Sequence, residues 1–307
     1  LPQPAPQDPE RPAPAEPEPQ SPAPESPEDT PADPGGAEPT APLTQPTITL
    51  ERTNDAGEKK VIEIVKTGPD EAGIAAICSP LEGDPEGTPT RFVYFDTSPT
   101  QVRVTVDKNV ITAPMAIAIK QPDGDGNLEM GEGTARYLEP EEVKEGATDP
   151  LERCEVFARL EKKQDIVKVV QGKTNLSGSY LTYSEDSGLA KIEGPITFAR
   201  EQKDDRLNGT SDAIVVDVEN ERTTLTGNVT LKSKDRTSTA AEVEYDDTRN
   251  IAILRGTPEN PARSQSGKDV LRAISIRYNL ETNDVVASNP VGSTFQDGGE
   301  ESDGASP

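Results

Sequence analysis

One unit recurs four times between residues 176 and 296, and no other feature restricts the fold as much. An alternating apolar run ends on an anchor, an acidic turn follows, a second alternating run starts, and a glycine or asparagine closes the unit. The copies are LTYSEDSGLAKIEGP, IVVDVENERTTLTGN, VEYDDTRNIAILRGT and IRYNLETNDVVASNP. The anchors and closing positions are Tyr183/Gly194, Val216/Gly227, Tyr245/Gly256 and Tyr278/Asn289, each pair 11 residues apart, and successive anchors follow at 33, 29 and 33. A period of this length describes stacked or winding units that bury a shared face.

The residue chemistry makes the units strands. Leu181, Ile214, Val243 and Ile276 lie two positions before the anchors. Ile192, Leu225, Leu254 and Ala287 lie two before the closing positions, and Ile196, Val229, Pro258 and Val291 two after. The positions between are mostly Thr, Glu, Lys, Asp or Arg, which is the period of two of a strand with one dry and one wet face. The polar clusters SEDSG, VENER, DDTRN and LETND have the length and chemistry of hairpin turns, so neighbouring strands run antiparallel and a parallel β-helix is disfavoured. A glycine repeated inside the second run permits a bend at the same place in every unit, and a sheet bent that way curls into a roll.

The stretch TLTGNVTLKSKDRTSTAAEVEYDDTRNIAILRG resembles the core of the OstA/LptA family of periplasmic lipopolysaccharide-transport bridge proteins. The resemblance rests on the step Gly227-Asn228-Val229, the run AEVEYD at 241–246 and SIRYNLET at 275–282. It is good over 176–296, faint over 47–172 and absent from 1–46. It implies an all-β fold, an antiparallel OstA-like β-jellyroll built from repeated hairpins, here carrying a Pro-rich N-terminal segment expected to be disordered.

The expected organisation has four parts: an acidic Pro-rich tether at 1–46, a divergent β-rich first half at 47–172, the jellyroll repeats at 173–296, and an acidic tail at 297–307. The first 46 residues contain 16 prolines and 9 acids against one base, too little apolar surface to offset ordering entropy. Extended as polyproline they reach on the order of 140 Å, at about 3.1 Å per residue. Within 47–172 the segments TITLER, KKVIEIVKTG, AGIAAI, TRFVYFD, QVRVTVD, VITAPMAIAIK and QDIVKVV read as strands. CEVFARLEKKQDIVKVVQG reads as a degenerate fifth copy ending at Gly172, and only EPEEVKE (139–145) has helix-favouring composition. One continuous roll over 47–296 is expected, with two rolls meeting near residue 172 as the alternative. The absence of an initiator methionine fits export by a signal peptide missing from this sequence, and also an arbitrary start. A periplasmic or envelope location is expected.

A net charge of −25 argues against nonspecific nucleic-acid binding and against docking on anionic membranes. The chain has no histidine, so Ser-His-Asp and Cys-His catalysis is ruled out. Asp123, Asp125 and Asn127 imitate the start of a calcium loop, but Leu128 and Thr134 stand where glycine and glutamate are needed. The acidic pairs Glu185/Asp186 and Asp246/Asp247 occupy turn positions and read as solvated turns rather than glycosidase carboxylates. No enzyme activity, cofactor or metal is expected. Cys78 and Cys154 are a candidate disulfide closing 76 residues, with two buried free thiols as the alternative. Such a bridge is worth about 3–5 kcal/mol in the chain-entropy model.

Aromatic residues make up only 4% of the chain, so the dry face is aliphatic. Composition alone describes a closed core. The resemblance implies instead an open-ended roll that cradles acyl chains, joined end to end with other OstA-like rolls by strand pairing. The candidate lipid groove is then Leu181, Tyr183, Ile192, Ile196, Phe198, Ile214, Val216, Leu225, Val229, Leu231, Val243, Tyr245, Leu254, Ile276 and Tyr278. Two functions follow: a bridge that shields lipopolysaccharide or a comparable envelope lipid, or a structural envelope spacer that binds none. A continuous unfilled slot favours the first and a fully packed interior the second.

Overall fold

In the computed structural model the described residues are 47–294, without 54–56, 58, 107–108, 125, 144–145, 148, 202–205, 218–221, 247–248 and 283. The expected Pro-rich tether and acidic tail lie outside them, as do Asp125 and Asp247. In chain order the strands are β1 (Thr47–Thr53), β2 (Lys59–Lys66), β3 (Gly73–Cys78), β4 (Thr90–Asp96), β5 (Val102–Val106), β6 (Asn109–Ala113), β7 (Met115–Lys120), β8 (Gly126–Tyr137), β9 (Val156–Glu161) and β10 (Val167–Gln171). They continue with β11 (Thr174–Gly178), β12 (Tyr180–Ser184), β13 (Leu189–Glu201), β14 (Arg206–Asp217), β15 (Arg222–Lys232), β16 (Arg236–Asp246), β17 (Ile251–Arg255), β18 (Ala262–Ser266), β19 (Asp269–Asn279) and β20 (Val285–Thr294). Every described pairing is antiparallel. The fold is an all-β roll of hairpins.

The roll has two layers, and the long strands belong to both. Layer A runs β1, β2, β5, β6, β10, β11, then the 196–201 half of β13, the 206–211 half of β14, the 229–232 half of β15, the 236–240 half of β16, β18, and one half each of β19 and β20. Layer B runs β3, β4, β7, β8, β12, then the opposite halves of β13 to β16, β17, and the remaining halves of β19 and β20. Pairing continues across residue 172, because β6 pairs with β10 and β8 with β12. Inner-facing residues of both layers form one apolar core from Ile48 to Leu280.

The crossing from layer to layer occurs where the sequence repeats its glycine. Register shifts fall between Glu193 and Ile196, Thr210 and Ala213, and Thr226 and Val229. Gly227 sits at φ +74° and Asn228 at φ +45°, a left-handed pair that re-aims the strand. The bends are stacked: Asn228 Nδ2 donates to Asp212 Oδ2 at 2.8 Å, and a Cβ on Gly227 would come within 2.3 Å of that carboxylate. Gly256 does something different, ending β17 where a Cβ would strike the Ala262 backbone nitrogen at 2.2 Å. There the chain leaves the sheet and returns as β18, so Pro258 is exposed, and at Asn289 (φ +54°) β20 turns Val291 out to solvent. The inward expectation therefore holds for Ile196 and Val229 and fails for Pro258 and Val291.

The first half departs from its reading in four places. Pro114 divides VITAPMAIAIK into β6 in layer A and β7 in layer B, and the Asp96 amide donates to the Pro114 carbonyl. After the turn at 121–124 the chain forms β8, a strand hidden in sequence by Gly131 and Gly133. A Cβ on Gly133 would meet the Met115 sulfur at 2.4 Å and the Arg159 carbonyl at 2.5 Å, so glycine is there for close approach. The expected fifth copy is not a hairpin, because β9 pairs with β8 and β10 with β6 and β11. Among its described residues the helix-favouring stretch forms a 3-10 turn, Pro140–Glu142, while α1 (Pro150–Arg153) follows under an Asp149 cap. The second half of β8, β9 and α1 cover the outer face of layer B and make a small second core with Ala76, Cys78, Val93 and Met115.

Candidate functional site

All fifteen candidate groove residues face the interior. Phe198, Val216 and Tyr245 are partly buried against the main core and the other twelve are buried in it. In layer B they fall into two cross-strand columns. The first is Met130, Leu181, Ile192, Ile214, Leu225, Val243, Leu254, Ile276 and Ala287, each the direct partner of the next. The second is Leu128, Tyr183, Ala190, Val216, Thr223, Tyr245, Ala252, Tyr278 and Val285. Bulky tyrosines alternate there with alanine, valine and threonine, which lets the rings lie over small neighbours.

Layer A is built otherwise. Its column runs Ile48, Ile64, Val104, Ile111, Val169, Leu176 and Phe198, and then Gly209, Leu231, Ser238, Ser264 and Leu271. Phe198 fills the space that Gly209 leaves, since a Cβ there would lie 2.0 Å from the ring. Ser238 and Ser264 satisfy each other at 2.9 Å, with Arg236 Nη1 donating to Ser264 Oγ at 3.1 Å. Nearer the turns a second layer-A row is polar: Asn109, Gln171, Thr174 and Arg200 are successive cross-strand partners.

The bends join the layers along one long side, and the turns lie along the other, here termed the seam. Two small apolar cavities lie by the polar row. One of about 50 Å³ is lined by Asn109, Gln171, Leu176, Leu181, Tyr183 and Ile192 among others. The next, of about 40 Å³, is lined by Gln171, Thr174, Leu176, Phe198, Arg200, Leu207, Leu225, Val243, Tyr245 and Leu280 among others. They share Gln171 and Leu176. Each has room for a few waters, far below the roughly 300–1,000 Å³ of a formed ligand pocket. Among the described residues the interior is thus nearly closed, neither an open slot nor a void-free core. A wider cleft of about 880 Å³ lies around β10, β11, β13, β14 and β15, with Lys168, Asn175, Thr197, Asn208, Thr230 and Lys232 in its lining, which places it on the solvent face of layer A.

Arg200 bridges the seam. It is 8% exposed. Its Nη1 donates to the Tyr245 hydroxyl and to Thr174 Oγ1 at 3.3 Å, and Nη2 donates to Asn250 Oδ1 at 2.6 Å. The guanidinium also lies 5.2 Å from the Tyr245 ring centroid. A layer-A strand is thereby tied to a layer-B strand and to the β16–β17 turn. The sequence reading missed Arg200, because in ITFARE it occupies an inward position by alternation yet looks like an ordinary surface charge. Its parity with Ile196 and Phe198 was the available signal.

The other sequence candidates are placed as follows. Cys78 and Cys154 are thiols in contact: burial first, then the hydrogen bond with the Cys154 sulfur, push the Cys78 thiol up to about 12. Glu185 is buried rather than solvated, because its turn folds against Gly126, whose missing Cβ would lie 2.5 Å from the carboxylate. Asp246 accepts from the Arg249 amide and holds its turn. Among the described residues no cluster of three His, Cys, Asp or Glu is arranged to hold a metal.

Residues 162–284 match the family described as LptA/(LptD N-terminal domain) LPS transport protein. This part of the roll is an LptA/LptD-type domain. Its matched span contains every candidate groove residue and both layers of the long strands β13 to β16. Among solved structures the chain is similar to LptH, the LptA homologous periplasmic component of the lipopolysaccharide transport device of Pseudomonas aeruginosa. The identity is 14%, with 40% of this chain and 95% of that chain covered, at a TM-score of 0.33. No curated protein matches.

Proposed function

We propose that this LptA/LptD-type roll works in the periplasm as a bridge that shields the acyl chains of lipopolysaccharide or a comparable envelope amphiphile, with its layers parting along the seam to admit them. The single supporting observation is the unbroken aliphatic column from Met130 to Ala287, with two cavities opening beside it. Each methylene moved from water into such a lining is worth about 0.8 kcal/mol, so a few chains bind usefully without specific polar contacts. Among the described residues the end strands β1, β3 and β20 pair on one side each, which suits end-to-end joining to other rolls. The small size of the cavities favours a second reading, a spacer that carries no lipid. A photo-crosslinking residue at Ile196 or Val229, inside the roll, is expected to capture an acylated species in cells. The same probe at Thr226 or Thr230, on the opposite face, should capture far less. Equal labelling of both faces, or none in a folded protein, leaves the spacer as the better account.

The contact between Cys78 and Cys154 suits a disulfide in an oxidising compartment. Such a bridge would tie α1 to β3 and fix the covering flap to layer B. Alkylation without reductant should find neither thiol free in protein recovered from that compartment. After reduction at pH 8, Cys154 should alkylate well ahead of Cys78, whose raised pKa leaves almost no thiolate.

A further inference from the structure

The polar row of layer A lies where a closed hydrophobic roll has no use for it. Asn109, Gln171, Thr174 and Arg200 follow one another in register across four strands on the inner side of the sheet. Their layer-B counterparts, Tyr183, Val216 and Tyr245, line the same two cavities. Among the described residues Asn109 Oδ1 is buried without a hydrogen-bond partner, a desolvation cost that a bound donor would relieve. Arg200 stands at the other end of the row with its fork held by Thr174, Tyr245 and Asn250. Apart from this row and Thr223, the cavity walls are aliphatic and aromatic.

We propose that this row is a headgroup site along the seam, for an amphiphile bearing an anionic phosphate and nearby hydroxyl or amide donors. The proposal rests on the carrier reading and names the chemistry of its entrance. With the chains lodged between the layers, the head of the amphiphile falls at the seam. Phosphate oxygens there replace the Tyr245 and Asn250 oxygens on the Arg200 guanidinium, exchanging neutral hydrogen bonds for charge-assisted, bidentate ones. The same exchange frees the tie between the layers, so the head that is recognised is also the one that opens the seam. A donor on the head reaches Asn109 Oδ1, and Gln171, which borders both cavities, lies between.

The test compares two lipids with identical acyl chains, a phosphatidic acid and the corresponding diacylglycerol. Each displaces a fluorescent fatty-acid probe from the full chain in detergent-dispersed form. The wild-type protein is expected to bind the phosphate-headed lipid about tenfold more tightly, the worth of a charge-assisted hydrogen bond. Arg200→Met should bring the ratio close to one, mainly by weakening the phosphatidic acid. Tyr245→Phe should raise the affinity for both lipids while keeping the preference, since it loosens the tie and spares the cation. Equal binding of the two lipids by the wild-type protein overturns the headgroup site and leaves the carrier standing. Binding of neither overturns both. Should Arg200→Met fail to fold, the wild-type ratio and Tyr245→Phe decide the matter without it.

Discussion

The two layers of this roll solve the same packing problem with different residues. Layer B presents aliphatic partners strand after strand, Leu181 on Ile192, Ile192 on Ile214, Ile214 on Leu225 and onward to Ile276. Layer A turns small and polar beyond Phe198, through Gly209, Ser238 and Ser264, and carries the Asn109–Arg200 row beside the seam. One layer is therefore a hydrophobic platform, while the other trades apolar area for hydrogen bonds that must be satisfied one by one. Substitutions should cost more in B than in A, and that difference can be measured.

The largest effect is expected in layer B. Leu225→Ala leaves a cavity between Ile214 and Val243 and should cost about 2–5 kcal/mol by urea unfolding. A loss under 1 kcal/mol would mean the platform collapses easily and the contrast between layers is false. Next comes a tight spot of layer A. Gly209→Val places atoms on the Phe198 ring and should cost about 1–3 kcal/mol. Phe198→Leu in the same chain should recover part of that loss, which a double-mutant cycle reads directly. The smallest effect belongs to Ser238→Ala, expected at about 0.5–1.5 kcal/mol with Ser264 still held by Arg236. If it matched Leu225→Ala, layer A would be as dependent on its serines as layer B on its leucines.

The same contrast explains what could be read from sequence. Every repeat anchor, together with the apolar residue two positions before it and the one two before the glycine, lies in layer B. The period that stood out was the period of that layer. Antiparallel hairpins, inward aliphatics and the bend at Gly194 and Gly227 followed from it. Layer A offers no comparable repeat, because its inward positions alternate Phe198, Gly209, Leu231 and Ser238, which periodicity does not distinguish from a surface. Strand β8 was concealed for a local reason, two glycines demanded by close backbone approach. Arg200 and the row it ends were hidden because a lone charge in a strand says nothing of direction until its neighbours across the sheet are known.

Because Glu193–Ile196, Thr210–Ala213 and Thr226–Val229 are crossings of single continuous strands, the molecule is bound like a book along its spine. On the carrier reading its covers swing apart without sliding past one another, since the long strands β13 to β16 are stitched into both. Any widening is confined to one angular motion about the line through Gly194, Asp212 and Gly227. A push at one strand is passed to its neighbours through the paired ladder, so the fold converts a local wedge at the open side into a parting shared along its length.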